Sequence, residues 1–321
     1  MTDDSYQAAG ASLGDAAAAL GAEIVTKVQC PSPSEAAALR DGALLISLLQ
    51  PSEHAALVES LSARGVRALS LERVPRITRA QSMDILSSQA TVAGYKAVLI
   101  AAAQSPKLFP MLTTAAGNIA PAKAFVLGAG VAGLQAIATA RRLGAVVSGF
   151  DIRAAAAEQV MSLGAAFVGP KPVADAEAKG GYAREQTADE RRQTMEAMAA
   201  HLRDQDIVIT TAQVPGRPAP RLITRAMVES MRPGAVIVDL AADSGGNCEV
   251  TRAGESVVHH GVTVIGASNL PATMPFHASL MFAKNVFTLL SHLISKEGVL
   301  TVDPKDEIAG AMLVTAAPAT D

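Results

Sequence analysis

The stretch Ala124-Phe-Val-Leu-Gly128-Ala-Gly130-Val-Ala-Gly133-Leu-Gln-Ala-Ile137, followed by Ala145-Val-Val-Ser-Gly-Phe150-Asp151, decides how this chain folds. Ala124 to Leu127 is a short apolar run, as expected of a parallel-sheet strand buried on both faces. It leads directly into Gly-x-Gly-x-x-Gly and then into a helical pattern from Val131 to Leu143. Strand, glycine turn and helix in that order are the context a dinucleotide fingerprint requires. Gly128 permits the tight turn, Gly130 lets backbone approach a pyrophosphate, and Gly133 allows close packing of helix on strand. The amides at the helix start would face the phosphates, with the positive end of the helix dipole behind them. A second strand ends at Asp151, whose carboxylate can accept hydrogen bonds from both hydroxyls of an adenosine ribose and would repel a 2′-phosphate. NAD(H) is therefore expected rather than NADP(H). Arg153 could meet a 2′-phosphate instead, but Asp151 stands at the strand end itself and decides the reading.

The chain has 321 residues, enough for two domains, and half of them are hydrophobic. With no Trp and few aromatics, the core must be built from Ala, Val, Leu and Ile. A formal net charge of −3 supplies no broad basic field, so nucleic acid is not an expected partner. Cys30 and Cys248 stand far apart without metal-ligand company and read as reduced thiols in a cytosolic setting; no metal site is expected. The acidic start Met1-Thr-Asp-Asp-Ser has no apolar segment behind it and is not a secretory signal. The low-charge run Ala124 to Ala140 is short of the roughly 20 residues a membrane span needs and carries three glycines, so no direct membrane insertion is expected.

Along the chain, helical and strand patterns alternate. Ser5 to Gly21 reads as helix, Glu23 to Gln29 as strand, Ser34 to Arg40 as helix and Ala43 to Leu49 as strand. Pro51 to Arg64 reads as a helix begun by proline, and Val66 to Leu71 as the next strand. This βαβα order implies a parallel sheet. The opening helix has no strand before it, which leads to the expectation that a first strand and helix of this domain are missing. A helix from about Ser82 to Ala103, rich in small residues, reads as a buried connector whose Gly94 permits close packing or a bend. Pro106 to Ala122 is a connection. After Asp151 come a helix (Ala154 to Leu163), a short strand (Ala165 to Val168), a long segment with Gly180-Gly181-Tyr182, and a charged helix (Asp189 to Arg203) whose His201 is expected on a solvated face. Strands follow at Asp206–Thr210, Ala235–Leu240, Ser256–His259 and Val262–Ser268, with a helix capped by Thr224 among them. His259 and His260 read as strand-end surface residues. A helix from about Pro275 to Ser295 is expected to return to the first domain, with the tail Val299 to Thr315 as a hairpin, an edge strand or surface chain. The fold class is thus α/β, two Rossmann-like parallel-sheet domains with the NAD-binding one (85–274) inserted into the first (1–84 and 275–321).

Ligand-binding residues are expected where polar groups gather at strand ends. Arg76-Ile77-Thr78-Arg79-Ala-Gln81-Ser-Met-Asp84 is such a cluster; read plainly, it is a charged surface loop with Ser82 as helix cap. The Gly180–Tyr182 segment reads either as a lid or as surface loop. Nucleophile elbows, His/Cys metal spacing and a P-loop lysine motif are all missing from the sequence, so the chemistry must come from the dinucleotide.

The Arg76–Asp84 run, the Gly128–Gly133 turn with Phe150-Asp151-Ile152-Arg153, Gly180-Gly181-Tyr182-Ala183, Thr210 to Pro220, and Asp239-Leu-Ala-Ala-Asp-Ser-Gly-Gly-Asn-Cys-Glu249 together resemble the NAD(H)-binding domain I of proton-translocating NAD(P) transhydrogenase, alpha subunit. The resemblance implies direct hydride transfer from NADH to NADP+ held on a partner domain, coupled to proton movement by membrane-spanning subunits. It implies that Arg76, Asp84 and Ser87 hold the nicotinamide carboxamide, with Ile77 and Thr78 beside them. Gln81 would reach the facing nicotinamide ribose. Val131 and Ala132 would lie under the pyrophosphate, Asp151, Ile152 and Arg153 at the adenosine end, and Gly181 and Tyr182 over the bound nucleotide, with Gln213 and Leu240 also against it. A homodimer is implied, peripheral at the cytoplasmic face of the inner membrane through its partner subunits. Two other readings compete. An alanine dehydrogenase needs an acid–base group in the first domain; Lys27 could supply the lysine, but Ala43 to Leu49 holds no histidine, Gln50 ends it and His54 lies beyond it. A non-catalytic NAD-binding protein is the third.

Overall fold

The computed structural model describes residues 2–169, 187–213 and 217–315. The chain divides into two compact units, Met1–Ser88 with Phe276–Asp321, and Gln89–Pro275.

The first unit is built on three parallel strands, β1 (Ile24–Thr26), β2 (Leu44–Ser47) and β3 (Arg67–Ser70), lying in that order. Successive residues of a strand point to opposite faces. Leu44, Ile46 and Leu69 accordingly meet Val286, Leu289 and Leu293 of the Pro275–Leu293 helix on one face. Leu45 and Ala68 meet Leu20, Leu39 and Leu61 on the other. The short helix Pro33–Ala38 starts with a capping box, Ser32 against Glu35.

Several boundaries differ from the periodicity-based reading. Ser5 to Gly21 is two short helices, Asp3–Ala8 and Ala16–Leu20, because Gly10 turns left-handed (φ +89°) and Asp15 caps a fresh start. The strand expected from Glu23 to Gln29 is regular only over Ile24–Thr26, although the Lys27 N–H still donates to the Ile46 carbonyl at 3.0 Å. The helix expected from Pro51 begins at Ala55, since Gln50 is also left-handed (φ +45°) and residues 51–53 complete a turn before it. The tail supplies an edge: Leu313 bridges antiparallel to Leu69, and the Val314 N–H donates to the Ala68 carbonyl at 2.9 Å.

In the second unit, most of the Ile85–Gln104 helix is followed by an antiparallel hairpin, β4 (Leu112–Thr114) and β5 (Gly117–Ile119), inside the stretch read as a plain connection. Its residues are exposed on both faces, so no apolar alternation marks them. The main sheet has seven strands: β6 (Lys123–Leu127), β7 (Val146–Phe150), β8 (Ala166–Phe167), β9 (Ile207–Thr210), β10 (Val236–Asp239), β11 (Ser256–His259) and β12 (Val262–Gly266). Their order is β11-β12-β10-β9-β6-β7-β8, parallel throughout except for β11. Order reverses at β6, whose neighbours are β7 and β9; ligands bind at such a switch point, outside the carboxyl ends of the strands. Ala124 and Val126 pack on one face and Phe125 and Leu127 on the other, each face covered by helices. The expected doubly wound α/β architecture is what forms.

The charged helix, Ala188–Leu202, departs from expectation at its end. His201 is half-buried, its Nε2 2.8 Å from Ser148 Oγ on β7 and its ring edge-on to Phe125 at 4.7 Å. Burial, aided by the Lys123 ammonium, holds its imidazole below the ordinary histidine value.

Among the described residues one helix, Ile85–Gln104, is long and apolar enough to cross a membrane by length and composition alone. Its Ala97, Val98 and Ala101 are fully buried in the core of the second unit, which accounts for that apolarity.

Candidate dinucleotide site

At the carboxyl end of β6, Gly128 takes φ +95°, a backbone region that side chains disfavour. Gly130 caps the Val131–Arg142 helix, and no heavy atom lies within 4 Å of where its Cβ would be. Its backbone is therefore open to approach. Gly133 is the opposite case, since a Cβ there would stand 1.8 Å from the Gly128 carbonyl oxygen. The three glycines thus serve a turn, an opening and a contact. Gly94 adds a fourth: a Cβ would fall 2.1 Å from the Ala132 carbonyl oxygen, so the connector helix presses on the first turn of the glycine helix. Close packing, not a bend, explains that glycine. Val131 is exposed at the helix start and Ala132 partly so, where the first amides of a helix have no partners of their own.

Asp151 follows β7 and is almost fully buried. Its Oδ2 accepts from the Ala129 N–H at 2.8 Å, within the glycine turn, and its Oδ1 accepts from the Arg153 N–H and Nε, both at 2.9 Å. The Arg153 guanidinium closes the pair at 2.9 Å on Oδ2. Burial raises the carboxyl's pKa, but the Arg153 and Ala129 donors outweigh it and hold the group below its usual range. An ionised acceptor at this point suits ribose hydroxyls. Arg153 is folded onto Asp151, so the two present a paired carboxylate and guanidinium here rather than an isolated cation. Ile152 beside it packs against the core.

Two further strand ends, those of β9 and β10, complete this edge of the sheet; their runs carry the family resemblance, but Thr211, Asp239 and Asn247 were not singled out as site residues. Thr211, after β9, donates its hydroxyl to the Gly128 carbonyl at 3.0 Å. Asp239, fully buried at the end of β10, accepts from the backbone N–H groups of Ala241, Asn247 and Cys248 and from the Thr251 hydroxyl. Asn247 in turn donates to the carbonyls of Ala212 and Pro220, both at 2.8 Å, so two loops are locked together. The signal for Asp239 was present: like Asp151, it is a carboxylate closing an apolar strand. Gln213 and Leu240, both expected to face the cofactor, meet directly, the Gln213 side-chain amide donating to the Leu240 carbonyl at 2.9 Å. Gly181 and Tyr182 lie outside the described residues.

In the first unit, Thr78–Met83 forms a 3₁₀ turn. Three residues per turn stack side chains at i and i+3. Ile77, Ala80 and Met83 therefore share the inner ridge and pack in the core. Thr78, Gln81 and Asp84 share another, on which Thr78 and Gln81 are exposed. Arg76 is exposed beside them. The helix cap is Asp84, not Ser82: its Oδ1 accepts from the Ser87 N–H at 3.0 Å and its Oδ2 from the Ser87 hydroxyl at 2.7 Å. Asn285, buried on the Pro275–Leu293 helix, supports this segment by donating to the Ser82 carbonyl at 2.7 Å and meeting the Ser88 hydroxyl. Lys27 is paired with Glu35 at 3.0 Å, and His54 Nδ1 lies 3.0 Å from the Leu49 carbonyl oxygen.

The residues fit a dinucleotide: an open backbone at Gly130, a closed contact at Gly133 and an ionised Asp151. Sequence comparison agrees. The pattern described as alanine dehydrogenase/PNT, C-terminal domain, matches residues 97–319, and that of the N-terminal domain matches residues 1–93. The chain belongs to the alanine dehydrogenase/PNT family. Within this family it is 46% identical over 325 residues to an NAD(P) transhydrogenase subunit alpha chain of Rhodospirillum rubrum, spanning 98% of this chain and 85% of that protein. The crystal structure of a transhydrogenase from Sinorhizobium meliloti superposes with a TM-score of 0.89 at 45% identity, covering 99% of this chain and 86% of that one. Alanine dehydrogenase of Bacillus subtilis is more distant, 28% identical over 93% of this chain and 75% of its own. The family resemblance read from the motifs is borne out.

Proposed function

We propose that this chain is the NAD(H)-binding component of a proton-translocating NAD(P)+ transhydrogenase, presenting NADH to NADP+ on a partner domain. The observation that carries the reading is the glycine turn, open at Gly130, shut at Gly133 and tied through Ala129 to the ionised Asp151. The bound dinucleotide would supply the hydride, so the protein's task is positioning, which can account for much of a rate by itself. Gly128, Gly130, Val131, Ala132 and Gly133 would hold the pyrophosphate, and Asp151, Ile152 and Arg153 the adenosine end. The Thr78–Gln81–Asp84 ridge, with Arg76, Ile77 and Ser87, would fix the nicotinamide carboxamide, an amide needing both donors and an acceptor. Gln81 would reach the facing NADP(H) ribose. Gly181 and Tyr182 would close over the nucleotide, with Gln213 and Leu240 alongside. The active form would be a homodimer held at the cytoplasmic face of the inner membrane by NADP(H)-binding and membrane-spanning subunits. Lys27, engaged by Glu35, and a β2 without histidine weigh against amino-acid dehydrogenation.

Fluorescence titration of the chain alone tests the binding half of this account. NADH is expected to bind at least ten-fold more tightly than NADPH, and NAD+ to remain unreduced on adding L-alanine. Equal affinities, or alanine-dependent NADH formation, would overturn the reading.

A further inference from the structure

At the edge of the seven-stranded sheet, β11 and β12 form a hairpin in which His259 pairs with Val262. Its two central residues, His260 (φ +49°) and Gly261 (φ +75°), are both left-handed, as the type I′ turn demands. In an extended strand, neighbouring side chains point to opposite faces. The left-handed turn at His260 breaks that alternation, and its ring comes within 5.1 Å of the His259 ring, centroid to centroid. Glu229, the last residue of the Arg225–Glu229 helix, reaches the same place, its Oε1 2.9 Å from His259 Nε2. One ligand atom from each of the three lies within 4.8 Å of the other two.

We infer that Glu229, His259 and His260 form a surface site for a divalent transition-metal ion of the zinc or nickel type. Two imidazole nitrogens and one carboxylate oxygen are a borderline-soft donor set, suited to Zn2+ and Ni2+ and poor for Mg2+ or Ca2+, which take oxygen ligands. Ligand bonds of about 2.0–2.2 Å place donors closer together than the widest spacing here, and exposed Glu229 and His260 are free to close the difference by rotation. Water would fill the remaining coordination positions. The metal would staple the edge hairpin to the neighbouring helix.

Because β11 runs against the other strands, its turn lies at the amino-terminal edge of the sheet. The glycine turn and Asp151 lie at the carboxyl edge. The metal's effect should therefore be on the stability of the hairpin, with nucleotide affinity unchanged.

The test uses the untagged full chain, dialysed free of metal, with Zn2+ and Ni2+ titrated by calorimetry and thermal melts recorded with and without EDTA. His260→Asn is the informative variant, since asparagine favours the same turn position, and Glu229→Gln removes the carboxylate while keeping its shape. Wild-type protein should bind Zn2+ with a rise in Tm of a few degrees, reversed by EDTA and not produced by Mg2+. Each variant should melt like wild type without metal, bind Zn2+ at least ten-fold more weakly and lose the Tm rise, with NADH titrations identical throughout. Zn2+ binding that both variants leave unchanged, or no binding by wild type, would overturn the proposal.

Discussion

Gly133 has no room for a methyl group. A Cβ there would stand 1.8 Å from the Gly128 carbonyl oxygen, so Gly133→Ala must push the glycine turn off its strand. Overpacking of this kind costs about 1–3 kcal/mol. The expected outcome is a lowered Tm and a loss of NADH affinity of ten-fold or more; unchanged titration curves would mean that the turn does not hold the nucleotide. His201 makes a prediction of different character. Its native imidazole is held below the ordinary value of 6.5, chiefly by burial, so just below that pH the unfolded chain binds a proton that the native chain does not. Stability should therefore fall as pH drops through this window and be complete above it. Comparing urea unfolding of wild type and His201→Gln between pH 7.5 and 5 isolates this contribution. The slope of wild type should exceed that of the variant, and equal slopes would contradict the assigned burial.

At the scale of elements, local sequence was informative where one residue type serves one geometry. The glycine turn, the helix it opens and the strand ending at Asp151 were legible because each glycine has a distinct steric task. Boundaries failed where a single backbone conformation intervened, as at Gly10 and Gln50, whose left-handed φ no periodicity announces. The β4–β5 hairpin escaped because neither face is buried, and His201 because its partner Ser148 is distant in sequence. The loop from Arg76 to Asp84 is the instructive case. Its candidate residues were legible as a polar cluster, but the reason they share a ridge is the 3₁₀ turn, and Asp84 proved to be the cap of the following helix. Removing that cap by Asp84→Ala should cost about 0.5–2 kcal/mol, whereas Asp84→Asn should keep the cap nearly intact. Loss of NADH affinity in Asp84→Asn with Tm preserved would mark a ligand role beyond capping. Affinity and Tm both unchanged in Asp84→Asn would confine Asp84 to capping.

For the whole molecule, alternating βα order together with one fingerprint was enough to specify two parallel-sheet units. What the pattern could not reveal is the polar scaffold behind the site, because Asp239, Asn247 and Thr211 act through backbone groups brought near only by the folded sheet. The molecule as described has a place for a dinucleotide and, among the described residues of that edge, a carboxylate scaffold whose oxygens are occupied by backbone donors. The proposed transfer between two nicotinamides asks no more than such positioning of this chain. The most direct test is to mix the chain, loaded with NADH carrying deuterium at the transferring C4 position, with an NADP+-loaded transhydrogenase partner component and to analyse the NADPH by mass spectrometry. The account predicts that the deuterium appears in NADPH without dilution by solvent protons. NADPH formed without the label, or none formed while both nucleotides are bound, would contradict it.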